Sequence, residues 1–210
     1  MKMRQSWWNI GLPFIITLLL SGCFSKPSQV SLYSLSPVPE NKSLPKGTEP
    51  FKAMTMIMPV RVAPQLNQTG ILVKVSPQQT HISTLHLWSA PLDKQITAIV
   101  SENISRQLHS ANIAMYPGPR YGKVIYSVEI DIKQFSPLAN QFVLQANWTI
   151  NDTLLKKILK RAVFSTTLTS PTERYDSYVQ SASEALSHLS QEIAGTLRAI
   201  DNSTLQENVQ

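Results

Sequence analysis

The stretch KVIYSVEIDIKQF, residues 123–135, decides the fold, because its apolar and polar residues alternate strictly from Tyr126 to Lys133. Side chains of a β-strand point to opposite faces in turn, so one face of this segment is apolar and the other is wet. The apolar face carries Val124, Tyr126, Val128, Ile130 and Ile132. One buried and one solvated face predict a strand of an antiparallel sheet.

Two further strands follow this stretch along the chain. Residues 141–150 repeat the alternation, with Phe142, Leu144, Ala146, Trp148 and Ile150 on the apolar face. After a turn predicted around Asn151-Asp152, Ile158 to Thr169 continues as a third strand. These segments predict a three-stranded antiparallel unit at the centre of the domain.

Two segments have the periodicity of amphipathic helices. Pro91 is expected at the first helical position, with Ser89 as a possible cap, ahead of apolar residues at Leu92, Ile96, Ile99, Val100, Ile104 and Leu108. Tyr175 to Ile200 carries apolar residues at steps of three and four. The elements predict one α+β domain at residues 51–200, an antiparallel β-sheet with two amphipathic helices packed on one face. Residues 201–210 are expected to form a polar C-terminal tail.

Three shorter strands are predicted before the first helix, at Met54 to Val62, Ile71 to Val75 and Ser83 to Trp88. The first is rich in methionine and limited by Pro59 and Pro64. Such an apolar segment is poorly suited to a fully wet edge. Two interpretations stay open: it contributes to self-association, or it lies centrally in the sheet.

The N-terminus has the form of an export signal. Lys2 and Arg4 precede an apolar run, Ile10 to Leu20, whose eleven residues would span about 17 Å as a helix, short of the ~30 Å bilayer core. Residues 1–22 are therefore predicted to be a signal peptide. The ending Leu20-Ser21-Gly22-Cys23 resembles a bacterial lipobox. The alternative is an ordinary secretory signal with a chance cysteine near its end.

The lipobox resemblance implies that the sulfur of Cys23 takes a diacylglycerol and that the new N-terminal amine is acylated. Phe24, in a position where Asp favours the inner membrane, implies the periplasmic face of the outer membrane. Residues 23–50 are predicted to be a Pro- and Ser-rich tether with a possible short strand at residues 30–35. If that strand forms, the free tether from Phe24 to about Ser31 reaches at most ~28 Å.

The composition excludes several classes of site. Without Lys2 and Arg4 the formal charge falls from +6 to 17 − 13 = +4, with no basic run typical of a nucleic-acid-binding protein. Neither glycine-rich phosphate-binding motif occurs. The single cysteine excludes an internal disulfide and a cysteine-based zinc site, so we expect no metal or other cofactor besides the acyl chains.

The residues that could carry catalysis lack a catalytic arrangement. Glu129 and Asp131 lie two apart on one strand, but on its wet face, where nothing raises the pKa of a general acid. His81 and His86 are five apart, a spacing that suits zinc on neither a strand nor a helix. The remaining histidines, His109 and His188, are expected at the surface. We therefore predict that the chain is not an enzyme.

Trp88 and Trp148 each have two interpretations. Exposed, such a residue would be a binding hot spot. Buried, it would pack in the core, which we favour for both: Trp88 lies at the corner between a strand and the first helix, and Trp148 lies on the apolar face of its strand.

Four motifs together resemble the ABC-type transport auxiliary lipoprotein family, of the paraquat-inducible type. They are Leu32-Tyr33-Ser34-Leu35-Ser36-Pro37, Pro59-Val60-Arg61-Val62-Ala63-Pro64-Gln65-Leu66, Leu87-Trp88-Ser89-Ala90-Pro91-Leu92, and the alanine, leucine and isoleucine pattern from Ala182 to Ala194. Their order and spacing carry the likeness from about residue 32 to 200. Relatives often have an acidic residue close to the position of Ser89. This chain departs from them there, so we do not infer a charged contact at this corner from the resemblance.

The resemblance implies a non-enzymatic outer-membrane component of an Mce-type intermembrane lipid transport system that supports envelope integrity. Its expected partners are the tunnel-forming Mce-domain protein and, through it, a multispan inner-membrane protein. The resemblance also suggests a homo-oligomeric ring around the tip of that tunnel. The alternatives are an outer-membrane assembly lipoprotein without a transport role and a lipid-anchored periplasmic hydrolase.

Overall fold

The computed structural model describes residues 29–37, 39, 49–170 and 174–207. The predicted signal peptide, Cys23 and most of the tether lie outside the described residues. The nine strands of the described residues are β1 Ser31–Tyr33, β2 Thr55–Ile57, β3 Arg61–Val62, β4 Gly70–Lys74, β5 Thr80–Trp88, β6 Ile113–Met115, β7 Tyr126–Leu138, β8 Gln141–Asp152 and β9 Lys157–Thr169. The two α-helices are α1 Leu92–Leu108 and α2 Tyr175–Glu207, and a 3-10 helix lies at Pro64–Leu66.

The three long strands form the antiparallel meander predicted from their alternation. β7 pairs with β8 from Tyr126↔Asp152 to Leu138↔Gln141, and β8 pairs with β9 over the same length. The turn between β8 and β9 comes later than predicted, because Asn151 and Asp152 still pair within the strands. The apolar face of this meander is buried, including Ile130, Leu144 and Trp148.

The remaining strands make the sheet mixed, so the predicted antiparallel pairing holds for the meander and for the β4–β5 hairpin, and the other pairs are parallel. Three short strands, β2, β3 and β4, lie in succession along the other edge of β7 and run parallel to it. β6 pairs in parallel with β2, and β5 joins β4 in an antiparallel hairpin. β1, within the segment predicted to form a short strand, pairs in parallel with β5. Strands of two to five residues hold too few alternating positions to reveal their partner's direction.

Both helices pack on one face of the sheet, and the α+β class is confirmed. Ile96, Val100 and Ile104 of α1 are fully buried, as are Leu186, Leu189 and Ile193 of α2. Pro91 takes the N-cap position with no side-chain cap, since Ser89 instead bonds the hydroxyl of Ser34. α2 continues seven residues beyond the predicted end at Ile200.

The methionine-rich segment lies inside the sheet. It divides into β2 and β3, and β2 pairs with β7 on one side and β6 on the other. Met54 and Met56 are buried in a small cluster with Ala114, against which Val124 packs. β2 thus lies inside the sheet, as the central interpretation has it, and Met54 and Met56 are not available at an edge. Across the described part of the chain, no helix is long and apolar enough to span a membrane.

Candidate functional site

The segment that enters the domain from the tether is fixed between the sheet and both helices. β1 adds to the sheet by pairing Ser31 to Tyr33 with the end of β5. Leu35 then buries its side chain in the core, and its backbone N–H donates to Oε1 of Gln95 on α1 at 3.0 Å. The N–H of Ser36 donates to Oγ of Ser183 on α2 at 3.1 Å. The end of the tether is therefore attached to the sheet and to both helices of the domain.

An aromatic cluster reinforces this entry point. The hydroxyl of Tyr33 lies 2.9 Å from Nδ1 of His86, a hydrogen-bond distance. The ring of His86 stacks on Tyr175 with 3.9 Å between centroids, and Tyr175 meets Tyr178 edge to face. The cluster joins β1, β5 and the start of α2. The one sequence signal for this cluster is the two-residue spacing of His86 and Trp88, which places both on the helix-facing side of β5.

The opposite end of the meander presents an apolar turn among basic residues. The backbone N–H groups of Leu154 and Leu155 both donate to Oδ1 of Asp152, which fixes the turn. Leu155 is 72% exposed and Ile158 is 50% exposed. The basic side chains beside them are Lys156, Lys157, Lys160 and Arg161. This group, residues 154–161, is called the meander tip below.

The outer edge of β9 is open over thirteen residues. Within the described ranges, β9 pairs with β8 and with no second strand. Val163 at its middle is 78% exposed. Unpaired backbone groups along a strand of this length are suited to pairing with another chain.

A cleft lies beside the meander tip, between residues 49–53 and the end of α2. Arg198 closes one side by donating to the carbonyl oxygens of Glu49 and Leu108, each at 3.3 Å. On the other side the hydroxyl of Tyr126 donates to Oδ1 of Asp201 at 3.3 Å. Burial raises the pKa of Tyr126 above its ordinary value of 10.0.

The acidic pair of β7 lies on the open face and is occupied by structural contacts. Glu129 lies 3.8 Å from the guanidinium of Arg61 and accepts a hydrogen bond from Asn151. Asp131 forms an ion pair with Lys133. Neither carboxyl is buried, so the arrangement provides no general acid.

The other candidate residues are placed apart from one another. His81 and His188 are exposed, and His109 caps the end of α1 in the left-handed conformation, with φ 49°. No three His, Cys, Asp or Glu side chains converge as metal ligands among the residues described. Trp88 and Trp148 are both core residues, and Nε1 of Trp148 donates to Glu192 at 3.1 Å.

One pocket between the sheet and the two helices is too small for a lipid. The enclosed pocket lined by Leu72, Trp88, Phe135 and Tyr178 has a volume of about 10 Å³, which is room for one water molecule. An acyl chain would need the core to open at this place.

The family model for the ABC-type transport auxiliary lipoprotein component matches residues 33–194. The chain belongs to this family. The match starts at Tyr33 in β1 and ends at Ala194 in α2, so the auxiliary lipoprotein fold includes the tether attachment and the meander. A family of accessory lipoproteins accords with the lack of a catalytic arrangement at the candidate residues.

Solved structures share the auxiliary lipoprotein fold. An uncharacterised protein is 20% identical, with a TM-score of 0.66 over 80% of this chain and 99% of its own. A Xanthomonas campestris protein of the DUF330 family is 13% identical, with a TM-score of 0.67 over 84% of this chain and 99% of its own. No curated protein matches the chain. At these identities the likeness concerns the fold.

Proposed function

We propose that this auxiliary lipoprotein is a non-enzymatic outer-membrane component of an Mce-type intermembrane lipid transport system. It docks the tunnel-forming Mce-domain protein, which connects it to a multispan protein of the inner membrane. The family match over residues 33–194 carries the proposal. The fixed attachment of the tether supports the proposal, because a protein that binds a partner near a membrane must be held firmly by its membrane anchor.

Cys23 is the lipid anchor in this proposal. A fatty-acid analogue fed to cells should label the wild-type chain and leave Cys23→Ala unlabelled, since that variant lacks the sulfur that takes the diacylglycerol. Fractionation of the labelled envelope should place the chain in the outer membrane, as Phe24 implies. Equal labelling of both chains, or recovery with the inner membrane, would contradict the anchor or its location.

The meander tip is the surface that we assign to the Mce partner. Its exposed leucine and isoleucine side chains provide apolar contact area, and its four basic residues favour a partner surface with acidic groups at the rim. The tip lies at the opposite end of β7 from the β4–β5 hairpin. Thirteen residues of strand place about 40 Å between the two ends.

Affinity purification of the full-length chain from solubilised envelopes tests this function. The wild type should recover an Mce-domain protein, identified by mass spectrometry, and Leu155→Asp should reduce the recovery at least tenfold. Leu155 is exposed, so this substitution leaves the core intact. Gln191→Asp, on the exposed side of α2, is the matched control and should recover the partner as the wild type does.

Two results would overturn the proposal. Recovery of outer-membrane assembly proteins without any Mce-domain protein would favour the assembly role. Equal recovery of the Mce partner by Leu155→Asp and Gln191→Asp would remove the meander tip from the interface.

A further inference from the structure

The direction of β1 determines where the lipid tether leaves the domain. β5 begins at the β4–β5 hairpin, and β1 runs parallel to β5. The chain before Ser31 therefore leads back along β5 toward that hairpin. Six peptide steps separate Cys23 from Gln29, which span at most ~20 Å.

The hairpin turn and β1 expose apolar residues, and the charged residues near them are Lys74 at the end of β4 and the Arg174–Asp176 pair at the start of α2. Residues 75–92 and 27–39 contain no Lys, Arg, Asp or Glu. The exposed fractions are 51% for Val30, 67% for Leu32, 60% for Val75 and 43% for Ile82. The meander tip, by contrast, surrounds its leucines with four basic side chains.

The β4–β5 hairpin holds Val75 in a defined position. The N–H of Val75 donates to the carbonyl oxygen of Gln79 at 2.9 Å, and the hydroxyl of Ser76 accepts from the N–H of Gln79 at 3.1 Å. Gly70 lets the two strands approach closely, since a Cβ there would lie 2.1 Å from the carbonyl oxygen of Ser83. The exposed valine therefore projects from an ordered turn.

We propose that the β4–β5 hairpin lies against the phospholipid surface that holds Cys23. Val75 enters the boundary between headgroups and acyl chains, as exposed apolar side chains do at a lipid interface. The inference rests on the proposed anchor at Cys23, whose short tether keeps this end within reach of the bilayer. Residues 75–92 carry no Lys or Arg, and the adjacent Lys74 is half-buried, so the contact is mainly apolar and depends little on anionic lipid.

Site-specific fluorescence on the full-length lipidated chain in vesicles tests this orientation. Acylation blocks the sulfur of Cys23, so Val75→Cys and Leu155→Cys each carry a single reactive thiol for a polarity-sensitive dye. The vesicles contain phosphatidylethanolamine and phosphatidylglycerol, with or without brominated lipid as quencher. At position 75 we expect a blue-shifted emission and at least twofold quenching, unchanged in high salt. At position 155 we expect the emission of an aqueous dye.

Flotation of the same vesicles separates the two proposals. A chain that fails to float refutes the anchor and with it the orientation. A floating chain with an unquenched dye at position 75, or with equal quenching at both positions, overturns the orientation alone. Quenching at position 75 that disappears in high salt would overturn the apolar mode of contact.

Discussion

Leu35 joins the tether to the core of the molecule. Its side chain is 6% exposed, whereas Leu32, three residues earlier, is 67% exposed. The two leucines of this motif therefore contribute differently to the stability of the fold. Leu35 holds the domain on its tether, and Leu32 remains available for contact with another surface.

Replacing Leu35 by Ala should lower the free energy of unfolding by about 2 to 3 kcal/mol, because it removes buried apolar atoms and leaves a cavity. Urea unfolding of the purified chain in detergent measures this change. Leu32→Ala is the matched control and should stay within about 0.5 kcal/mol of the wild type. A similar change in the free energy of unfolding for both variants would show that Leu35 is not buried in the core.

Tyr126 makes stability depend on pH in the alkaline range. Burial raises its pKa, the hydrogen bond with Thr204 opposes this, and the carboxylate of Asp201 adds to it. A raised pKa means that the folded state favours the neutral phenol. The contribution is fully present below pH 10.0 and is lost as the pH rises through the raised pKa.

The wild type should therefore lose more stability than Tyr126→Phe between about pH 9 and about pH 11, because Phe has no proton to lose. Melting temperatures of the two chains across this range measure the difference. Parallel curves would show that Tyr126 ionises alike in the folded and unfolded states.

Residue-level predictions succeeded where a local pattern was sufficient. The wet position of Glu129 and Asp131 and the burial of Trp148 follow from strand alternation, and the burial of Trp88 was predicted from its place at a strand-to-helix corner. The contact of Leu35 with Gln95, sixty residues away, has no local signal. The stacking of His86 on Tyr175 joins residues even farther apart in sequence and was missed for the same reason.

At the scale of elements, the β4–β5 hairpin depends on Gly70. A Cβ at this position would lie 2.7 Å from Cγ2 of Ile82, and closer still to the backbone of Ser83. Gly70→Ala should therefore lower the free energy of unfolding by about 1 to 3 kcal/mol, as overpacked positions do. Thermal or urea unfolding measures it.

Gly195 in α2 provides the control for the same substitution. A Cβ there meets no atom within 4 Å. Gly195→Ala should raise stability by up to about 1 kcal/mol, because alanine has the better helix propensity. Destabilisation of similar size at both positions would contradict the close approach of β4 and β5.

Long elements could be predicted from the sequence, and short ones only in part. β7 and β8 hold thirteen and twelve residues, enough for alternation to show both the strand and its buried face, and β9 was predicted as a strand without a buried face. Both helices were likewise predicted from apolar residues spaced three and four positions apart. β2 and β3 were read as one strand, because the break near Pro59 depends on where β7 offers partners.

At the scale of the whole molecule, the open edge of β9 is the surface that we propose for ring formation. A ring repeats one heterologous contact until it closes, so a modest interface per subunit suffices. Sedimentation of the full-length chain in detergent, at tens of micromolar and with the partner's periplasmic region, should give a mass of several subunits. Val163→Lys should shift it toward the monomer. A monomeric mass with and without the partner would rule the ring out.

The two ends of the molecule are suited to different neighbours. The tether leaves at the end of the β4–β5 hairpin, and the meander tip lies about 40 Å away along β7. In the proposed orientation the domain stands on its hairpin end and presents Leu155 to the periplasm, where the proposed tunnel-forming partner would meet it.

Photo-crosslinking in intact cells tests docking at the meander tip most directly. A photoreactive amino acid is placed at Leu155, and at Gln191 as the control on the exposed side of α2. After irradiation, the account predicts a covalent adduct between position 155 and an Mce-domain protein, and none from position 191. Adducts at position 155 that lack an Mce-domain protein, or equal adducts from both positions, would contradict it.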